Sequence, residues 1–354
     1  MWIYLINMLL LIAWAALLLR DDGIKHGKLL FVTIATGQWI LLSGFRHFSV
    51  GADTMQYKWM FDETKRISWE RLGDNFINIV FGDGDGRDPG YYLLQKTIQI
   101  ATENYQWYLL TVALLFLIPF GVWIYRNSTE PLLSFLIFST LFYAFFAITG
   151  IRQTIATAIA VLIGYYFIQT RRFWPFVGVV LLAATIHKSA LVFLPFYFLA
   201  TKTITPRYLL FMGALIPFLF VFRVPLFEFF RTISGYNEYE YYTGAGTFNF
   251  SMILILITIV SLWRREQMIA VNPNVTHYLN ALLLALCFLP LTFINPSMMR
   301  IVQYFSIFVM LLIPELIRSF ERRERLLVYY LAITMLLLLF VRNEPLYMFF
   351  WQQK

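Results

Sequence analysis

Most side chains that could do chemistry in this 354-residue sequence lie at the ends of long apolar runs. The stretch GFRHFSVGADTMQYKWMF, residues 44–61, follows one such run and contains an arginine, a histidine and an aspartate. Further ionisable side chains border other apolar runs, namely Asp88, Arg152, His187 and Arg300. Carboxylates and histidine can take a proton from an attacking hydroxyl, and guanidinium groups bind phosphate oxygens in pairs. Together these residue types suit the transfer of a group from a phosphate or diphosphate.

Two arginines begin predicted helices, Arg152 in AITGIRQTIATAIA and Arg300 in INPSMMRIVQYF. A cation at a helix N-terminus opposes the helix dipole, so an anion bound nearby would remove the conflict. Arginines at helix ends also extend to lipid headgroups without a catalytic role, and that interpretation stays open for Arg152. We interpret the two positions as a clamp for a diphosphate, with Arg46 as a third member.

Three side chains are candidates for a general base or for simpler structural roles. Asp53 either caps a helix over 54–66 or takes a proton from the substrate. Asp88 precedes Pro89, which favours capping of the helix that follows. His187, in TIHKSALVF, either accepts a proton, joins the clamp when protonated, or caps a helical hairpin. Both Asp53 and His187 are therefore candidates for the base.

Aromatic side chains could hold sugar rings. Tyr57 lies four residues after Asp53. The run SGYNEYEYYTGAGTF at 234–248 contains Tyr236 and three more tyrosines. Such rings suit sugars, but they equally suit an interfacial aromatic belt. The loop FGDGDGRDPG lacks the ligand spacing and terminal glutamate of an EF-hand, which predicts a turn rather than a calcium site. With Cys287 as its one cysteine, the sequence predicts neither a disulfide nor a thiolate metal site, and we expect no metal or cofactor.

The composition is that of a membrane protein, because 60% of the residues are hydrophobic and only 14% are charged. Runs near the roughly 20 residues needed to cross a bilayer predict about twelve transmembrane helices. These lie at 1–19, 29–45, 104–125, 132–150, 151–169, 173–187, 189–202, 207–224, 249–263, 276–294, 301–317 and 326–341. The sequence thus predicts an all-α polytopic integral membrane protein with a single transmembrane domain, 1–354. The net charge of +8, without a basic soluble segment, indicates contact with the lipid bilayer and not with nucleic acid.

Lysine and arginine are more frequent in alternate short loops, a bias that marks the cytoplasmic side. This bias places the segments 46–103 and 225–248 outside, where mixed charge and aromatic residues predict interfacial helices and loops. The runs 173–187 and 189–202 are short for full spans and predict a sunken hairpin with His187 at its apex. On this topology, the polar residues of separate helices lie near one membrane face and could line a shared cavity.

The elements FRHFSVGADTMQY, DPGYYLL, GIRQTIATAIA and IHKSALVFLPFY, with the later pair Arg300 and Tyr304, resemble the EpsG/Wzy-type polysaccharide polymerase family of bacterial membranes. The resemblance is good over residues 45 to roughly 200 and loose over the last third of the chain. Its most specific parts are the Arg-x4-Gly-x-Asp-x3-Tyr, Arg-Gln-x2-Ala and His-Lys-Ser elements. The chain departs from the family pattern with Asp88 in place of glutamate and Ala52 in place of threonine.

The resemblance implies a metal-independent membrane glycosyltransferase with a GT-C-like architecture, on the extracytoplasmic face of the bacterial inner membrane. It implies an enzyme that joins oligosaccharide repeat units carried on polyprenyl (undecaprenyl) diphosphate during exopolysaccharide or O-antigen synthesis. A flippase and a chain-length regulator are the protein partners that it suggests. The candidate catalytic residues are then Asp53 and His187. Substrate binding is expected from Arg46, Arg152, Arg300, Tyr57, Asp88, Gln153, Tyr236 and Tyr304.

Other function classes also fit a polytopic chain. A transporter or flippase for lipid-linked oligosaccharides needs many spans, but its site is expected near the membrane midplane, whereas the charges here lie at span ends. A polysaccharide O-acyltransferase should carry a catalytic histidine with donor-binding groups facing the acyl source, and the candidates here all lie outside. A non-catalytic scaffold is the remaining alternative. The sequence therefore favours the polymerase over these three classes.

Overall fold

The computed structural model of the protein describes residues 2–20, 25–82, 86–234, 247–342 and 346–352. These residues are almost entirely helical, and they include an isolated antiparallel β-bridge between Arg46 and Phe349. The all-α class predicted from the sequence is therefore confirmed.

The helices of the first half are, in chain order, α1 (Trp2–Leu18), α2 (Gly27–Gly44), α3 (Thr54–Lys65), α4 (Trp69–Phe81), α5 (Pro89–Ala101), α6 (Tyr105–Asn127), α7 (Pro131–Ile137), α8 (Ile151–Gln169) and α9 (Phe173–Ile186). Those of the second half are α10 (Lys188–Leu199), α11 (Pro206–Val221), α12 (Arg223–Ser234), α13 (Phe248–Trp263), α14 (Arg265–Val271), α15 (Val275–Thr292), α16 (Met299–Ser306), α17 (Val309–Arg318) and α18 (Arg322–Arg342). Every predicted span falls on one or two of these helices.

Three of these helices, α6, α8 and α15, are long and apolar enough to cross a bilayer by themselves. Three bent pairs pass the same test together, namely α11 with α12, α13 with α14, and the segment that contains α16 with α17. Shorter apolar helices, including α1, α9 and α10, accompany them. By length and composition, the described residues thus provide three to six candidate spans, as is typical of a multi-pass membrane protein. The count of about twelve stays a prediction, because several of the predicted spans are shorter helices.

The long apolar run that contains α7 and α8 is broken at Gly150. The hydroxyl groups of Ser139 and Thr140 donate to the carbonyls four residues earlier, at 2.7 and 2.9 Å, and α7 continues into π-helical turns in this region. The Phe145 ring occupies the place where a Cβ at position 150 would lie. The break therefore depends on glycine, and it places Arg152 in the first turn of a new helix, as the sequence predicts.

The main hydrophobic core extends from α1 to α18 and contains many aromatic side chains. Within it, α2 packs against α6, and α15 packs against α16. Trp39 on α2 is buried, and its indole N–H donates to the Ser139 hydroxyl at 3.2 Å. Because buried indoles need such a partner, this bond fixes α2 beside the continuation of α7. The core in this way holds the helices whose ends carry the candidate residues.

Three short helices, α3, α4 and α5, form the segment predicted to contain interfacial helices. Ser68 caps α4, since its hydroxyl accepts from the backbone N–H of Arg71 at 3.2 Å. On α4, Leu72 is buried while Glu70 and Asp74 are exposed, so this helix is amphipathic. α5 packs against α3, α4 and α9. The packing brings the start of α5 to the end of α9.

Candidate functional site

A buried carboxylate joins three parts of the chain. Asp88 is fully buried, and one of its oxygens accepts from Arg152 Nη1 at 2.7 Å and lies 3.3 Å from His187 Nδ1. The other oxygen accepts from the backbone N–H of Lys188 at 3.1 Å. Arg152 and His187 are themselves buried. We call the side chains of Asp88, Arg152 and His187 the Asp88 cluster.

The backbone at the start of α5 places Asp88 in this cluster. Asp88 has the left-handed conformation, with φ 52°, which aspartate adopts more readily than most residues. Pro89 occupies the first turn of α5, where its missing N–H is not needed. Gly90 packs directly on Thr185 of α9, and a Cβ there would overlap the threonine. The close approach of α5 to α9 therefore requires glycine, and it brings Asp88 to His187.

The capping role predicted for Asp88 is wrong. Its carboxylate makes no side-chain hydrogen bond to the first turn of α5, and it binds groups of α8 and α10 instead. The physical reason is that a hydrogen bond between two charged groups is stronger than one to a neutral backbone N–H. The carboxylate is also the anion that the position of Arg152 at a helix start predicts. A contact of Asp88 with substrate stays a prediction.

Arg300 forms a second ion pair, with Asp53. Arg300 Nη2 lies 3.3 Å from Asp53 Oδ2, and the two side chains are 22% and 36% exposed. Asp53 directly precedes α3 but makes no side-chain capping bond to it, so the capping alternative for Asp53 is wrong as well. Gln153 donates from Nε2 to the backbone carbonyl of Arg300 at 2.5 Å. Since Gln153 follows Arg152 directly, the second pair lies next to the Asp88 cluster.

Tyrosine rings surround the guanidinium of Arg152. The group lies 5.8 Å from the centre of the Tyr57 ring and 6.0 Å from that of Tyr91, within the range of cation–π attraction. The Tyr108 hydroxyl donates to the Tyr91 hydroxyl at 2.8 Å. Sequence reasoning singled out Tyr57 but missed Tyr91 and Tyr108. The one available signal was the DPGYYLL element, in which Tyr91 lies two residues after Pro89.

Tyr304 connects α16 to α10. It is fully buried, and its hydroxyl lies 3.0 Å from that of Ser189. Tyr304 lies one helical turn after Arg300, and Ser189 lies two residues after His187. Ser189 was not among the predicted site residues, although it ends the His-Lys-Ser element. The hydrogen bond aligns the two segments that carry Arg300 and His187.

Arg46 has a different environment. It is buried, and its guanidinium donates to the backbone carbonyl of Ser43 and, at 2.9 Å, to that of Ile148. These contacts join the end of α2 to the π-helical turns that precede Gly150. These hydrogen bonds explain how the Arg46 guanidinium can be buried, and none of them is made to a member of the Asp88 cluster. Its role as a third phosphate ligand stays a prediction.

A cavity of about 800 Å³ opens beside the Asp88 cluster. Its charged and polar lining includes His187, Lys188, Ser189 and Arg300. The rest of the described lining is mainly apolar and comes from α4, α9, α10, α12 and α16, with Pro89 at the start of α5 and with Ser297 and Met298 just before α16. Ligand sites in proteins commonly enclose roughly 300 to 1,000 Å³. Cations and a histidine beside apolar walls suit an amphiphilic ligand with an anionic head.

Burial and charge set the protonation states of the cluster. Burial raises the pKa of Asp88, but the contacts with His187 and Arg152 outweigh it and lower the pKa to about 2. His187 lies in the connection between α9 and α10, and burial lowers its pKa even though Asp88 acts in the opposite direction. At neutral pH the cluster therefore contains a carboxylate, a guanidinium and a neutral imidazole.

The structure brings together most of the predicted site residues, namely Asp53, Tyr57, Asp88, Arg152, Gln153, His187, Arg300 and Tyr304. Tyr236 and the other tyrosines of its run lie outside the described residues. Within the described ranges, no group of three or more His, Cys, Asp or Glu side chains could hold a metal ion. The predicted convergence of polar groups from separate helices is thus observed.

Comparison with known proteins identifies a family. No curated protein and no solved structure matches the chain. The family model of EpsG matches residues 29–347, a range that runs from α2 to beyond α18 and contains every candidate residue named above. The chain therefore belongs to the EpsG family.

Proposed function

We propose that the protein is a polysaccharide polymerase, a glycosyltransferase that moves a growing glycan from polyprenyl diphosphate to a sugar hydroxyl of a lipid-linked repeat unit. Membership of the EpsG family associates the chain with polysaccharide synthesis. The full proposal has about twelve spans, a GT-C-like arrangement and a site on the extracytoplasmic face of the inner membrane. A flippase would deliver the repeat units, and a chain-length regulator would act on the product.

The proposal depends above all on the position of His187. This side chain contacts the Asp88 carboxylate and also lines the large cavity, together with Arg300. Glycosyl transfer from a diphosphate needs a proton acceptor near the attacking hydroxyl and positive charge near the leaving group. A histidine and an arginine on the walls of one cavity meet both needs.

His187 is the general base in this mechanism. Its Nδ1 faces the Asp88 carboxylate, so the tautomer that fits this hydrogen bond has its proton on Nδ1, and Nε2 is then the nitrogen that can accept a proton. Its lowered pKa favours the neutral form, which can accept a proton. Asp88 orients the ring and stabilises the imidazolium that forms. Asp53 is less suited as the base, because its carboxylate is paired with Arg300.

In the transfer step, the acceptor hydroxyl oxygen bonds to the anomeric carbon, and the hydroxyl proton moves to Nε2 of His187. The bond from that carbon to the diphosphate oxygen breaks, and its electron pair stays on the diphosphate. Arg300 and Lys188, which line the cavity, stabilise the charge of the leaving group. Arg152 acts through Asp88, whose ionised form it favours.

The test measures the lipid-linked sugars in cells that produce His187→Gln or Arg300→Ala. Loss of polymerase activity should leave single repeat units on the lipid at the extracytoplasmic face of the inner membrane, while the variant proteins insert at normal levels. Arg207→Ala is a matched control, because Arg207 is an exposed cation at the start of α11. We expect polymer of normal length from this control.

Other outcomes would contradict the proposal in distinguishable ways. A flippase defect would hold repeat units on the inner face, and an acyltransferase defect would leave full-length polymer without acyl groups. Normal long polymer from both His187→Gln and Arg300→Ala would exclude the assigned site.

A further inference from the structure

We propose that the apolar part of the cavity binds the first isoprene units of the donor lipid, directly beside its diphosphate. This inference rests on the proposed function, and it names the site of the lipid portion of the donor. We call this part of the cavity the tail groove. Its walls include Phe76, Ile79, Val80, Leu182, Leu191 and Ile301.

Two kinds of helix form the tail groove. α9 and α10 are apolar and contribute Leu182 and Leu191. α4 is amphipathic: Phe76 and Ile79, three residues apart, lie on the face that lines the groove, whereas Glu70 is exposed. Amphipathic helices of this kind lie where lipid headgroups meet acyl chains. The tail groove therefore begins at the depth where the head and the tail of a lipid join.

The cationic and apolar lining residues are close neighbours along the chain. Leu182 lies five residues before His187, which is about 7.5 Å along a helix axis. Leu191 lies three residues after Lys188, on the same short helix. A lipid whose diphosphate contacts Lys188 and Arg300 would therefore place its first isoprene units against these leucines.

The tail groove also has a route for the rest of a long chain. Leu181 and Leu182 are 51% and 56% exposed, and Phe81 is 79% exposed. Such a surface is unfavourable against water but favourable against hydrocarbon. Because these exposed side chains also line the cavity, a chain longer than the groove can continue into the bilayer.

The charges beside the groove favour one class of lipid. Lys188 and Arg300 provide two cations on the wall of the cavity. Two cations match the two phosphates of a diphosphate, whereas a phospholipid has one phosphate. The charge of the lining therefore favours polyprenyl diphosphate over bulk phospholipid.

The experiment compares two donors with purified protein in lipid nanodiscs. One donor has a full polyprenyl chain, and the other has the same glycan and diphosphate on a single isoprene unit. Leu182→Trp and Ile79→Trp should narrow the tail groove. We expect both variants to lose about tenfold or more in kcat/KM for the polyprenyl donor and to lose clearly less for the short donor, which fills only the start of the groove. Leu210→Trp, at a 76% exposed position of α11 outside the groove, is the matched control and should resemble the wild type.

Equal losses of kcat/KM on both donors, or no loss on either, would contradict the binding of the lipid tail in this groove. A wild-type protein that uses neither donor would instead contradict the proposed function. In that case a second experiment tests the tail groove. Photo-crosslinking from the first isoprene unit of polyprenyl diphosphate should label α4 or α9. Excess polyprenyl diphosphate without the photoprobe should abolish this labelling. Labelling that excess phospholipid removes equally well would overturn the inference.

Discussion

The carboxylate of Asp88 lies 2.7 Å from the guanidinium of Arg152, and both side chains are buried. The pair connects the residue that precedes α5 to the first turn of α8. An anion between two helix N-termini is stabilised by both helix dipoles as well as by the guanidinium. The ion pair thus fixes a negative charge beside His187, which explains how the cluster can orient an imidazole in an apolar setting.

Replacing Asp88 with Asn should destabilise the protein, because it removes the negative charge of a buried ion pair. Removing one partner of such a pair commonly costs about 3 to 5 kcal/mol. We expect a lower melting temperature in detergent and no polymer. The double variant Asp88→Asn with Arg152→Gln should recover much of the stability but none of the activity. Wild-type stability in the single variant would contradict the structural role of the pair.

The pH dependence of the transfer rate should report on His187. Its pKa lies below the ordinary 6.5 because the ring is buried, so the neutral base persists at pH 6.5 and the rate falls as the pH drops further. Asp88, with a pKa of about 2, stays ionised throughout that range. Single-turnover rates measured from about pH 5 to 8 would show this fall.

Replacement of His187 provides the control for that pH profile. His187→Gln should reduce the rate at neutral pH by about 100-fold or more, because a general base is lost. The residual rate should no longer fall at acid pH in the way that the wild-type rate does. If the same fall persists in this variant, another group is the base.

Asp53→Asn should keep transfer activity within about tenfold of the wild type. The ion pair of Asp53 with Arg300 is partly exposed to solvent, and such pairs contribute at most about 1 kcal/mol to stability. Polymer length and single-turnover rates would be measured for Asp53→Asn and Asp53→Ala side by side. A loss in Asp53→Asn as large as that in His187→Gln would identify Asp53 as the base.

Gly90→Ala should disturb the site without changing a polar group. The added methyl group would overlap Thr185, so the start of α5 would move away from α9 and take Asp88 from His187. We expect the transfer rate to fall by about tenfold or more. The matched control is Gly73→Ala on α4, where an added methyl group meets nothing within 4 Å. That control should be fully active and up to about 1 kcal/mol more stable, and equal activity in the two variants would refute the positioning role.

The helices could be predicted from the sequence because each apolar run is bounded by charged residues or helix breakers. The sharp bends were harder to predict. α11 and α12 meet at 76° around Phe222, and α12 begins two residues before the predicted loop at 225–248. Pro225, in the first turn of α12, indicates that α11 cannot continue, but it does not set the angle between the two helices. The bend depends on how these helices pack against α15, and a local pattern does not contain that information.

The convergence of the site residues could also be predicted, because loops on one side of a membrane bring alternate helix ends together. The individual pairings could not. The Asp-Pro pattern of Asp88 looks the same whether its carboxylate caps α5 or binds an arginine 64 residues away. The contact of Tyr91 with Arg152 and its hydrogen bond with Tyr108 likewise depend on tertiary packing.

The shortness of α9 has a consequence for the membrane itself. Its 14 residues rise about 21 Å, whereas the hydrocarbon layer is about 30 Å thick. A helix of this length either leaves His187 below the leaflet surface, in the sunken hairpin that the sequence predicts, or requires the bilayer around it to thin. In that geometry a donor lipid meets the base within a local depression of the leaflet surface and keeps its chain in hydrocarbon. Membranes of longer acyl chains, which resist such thinning, would then slow the proposed transfer.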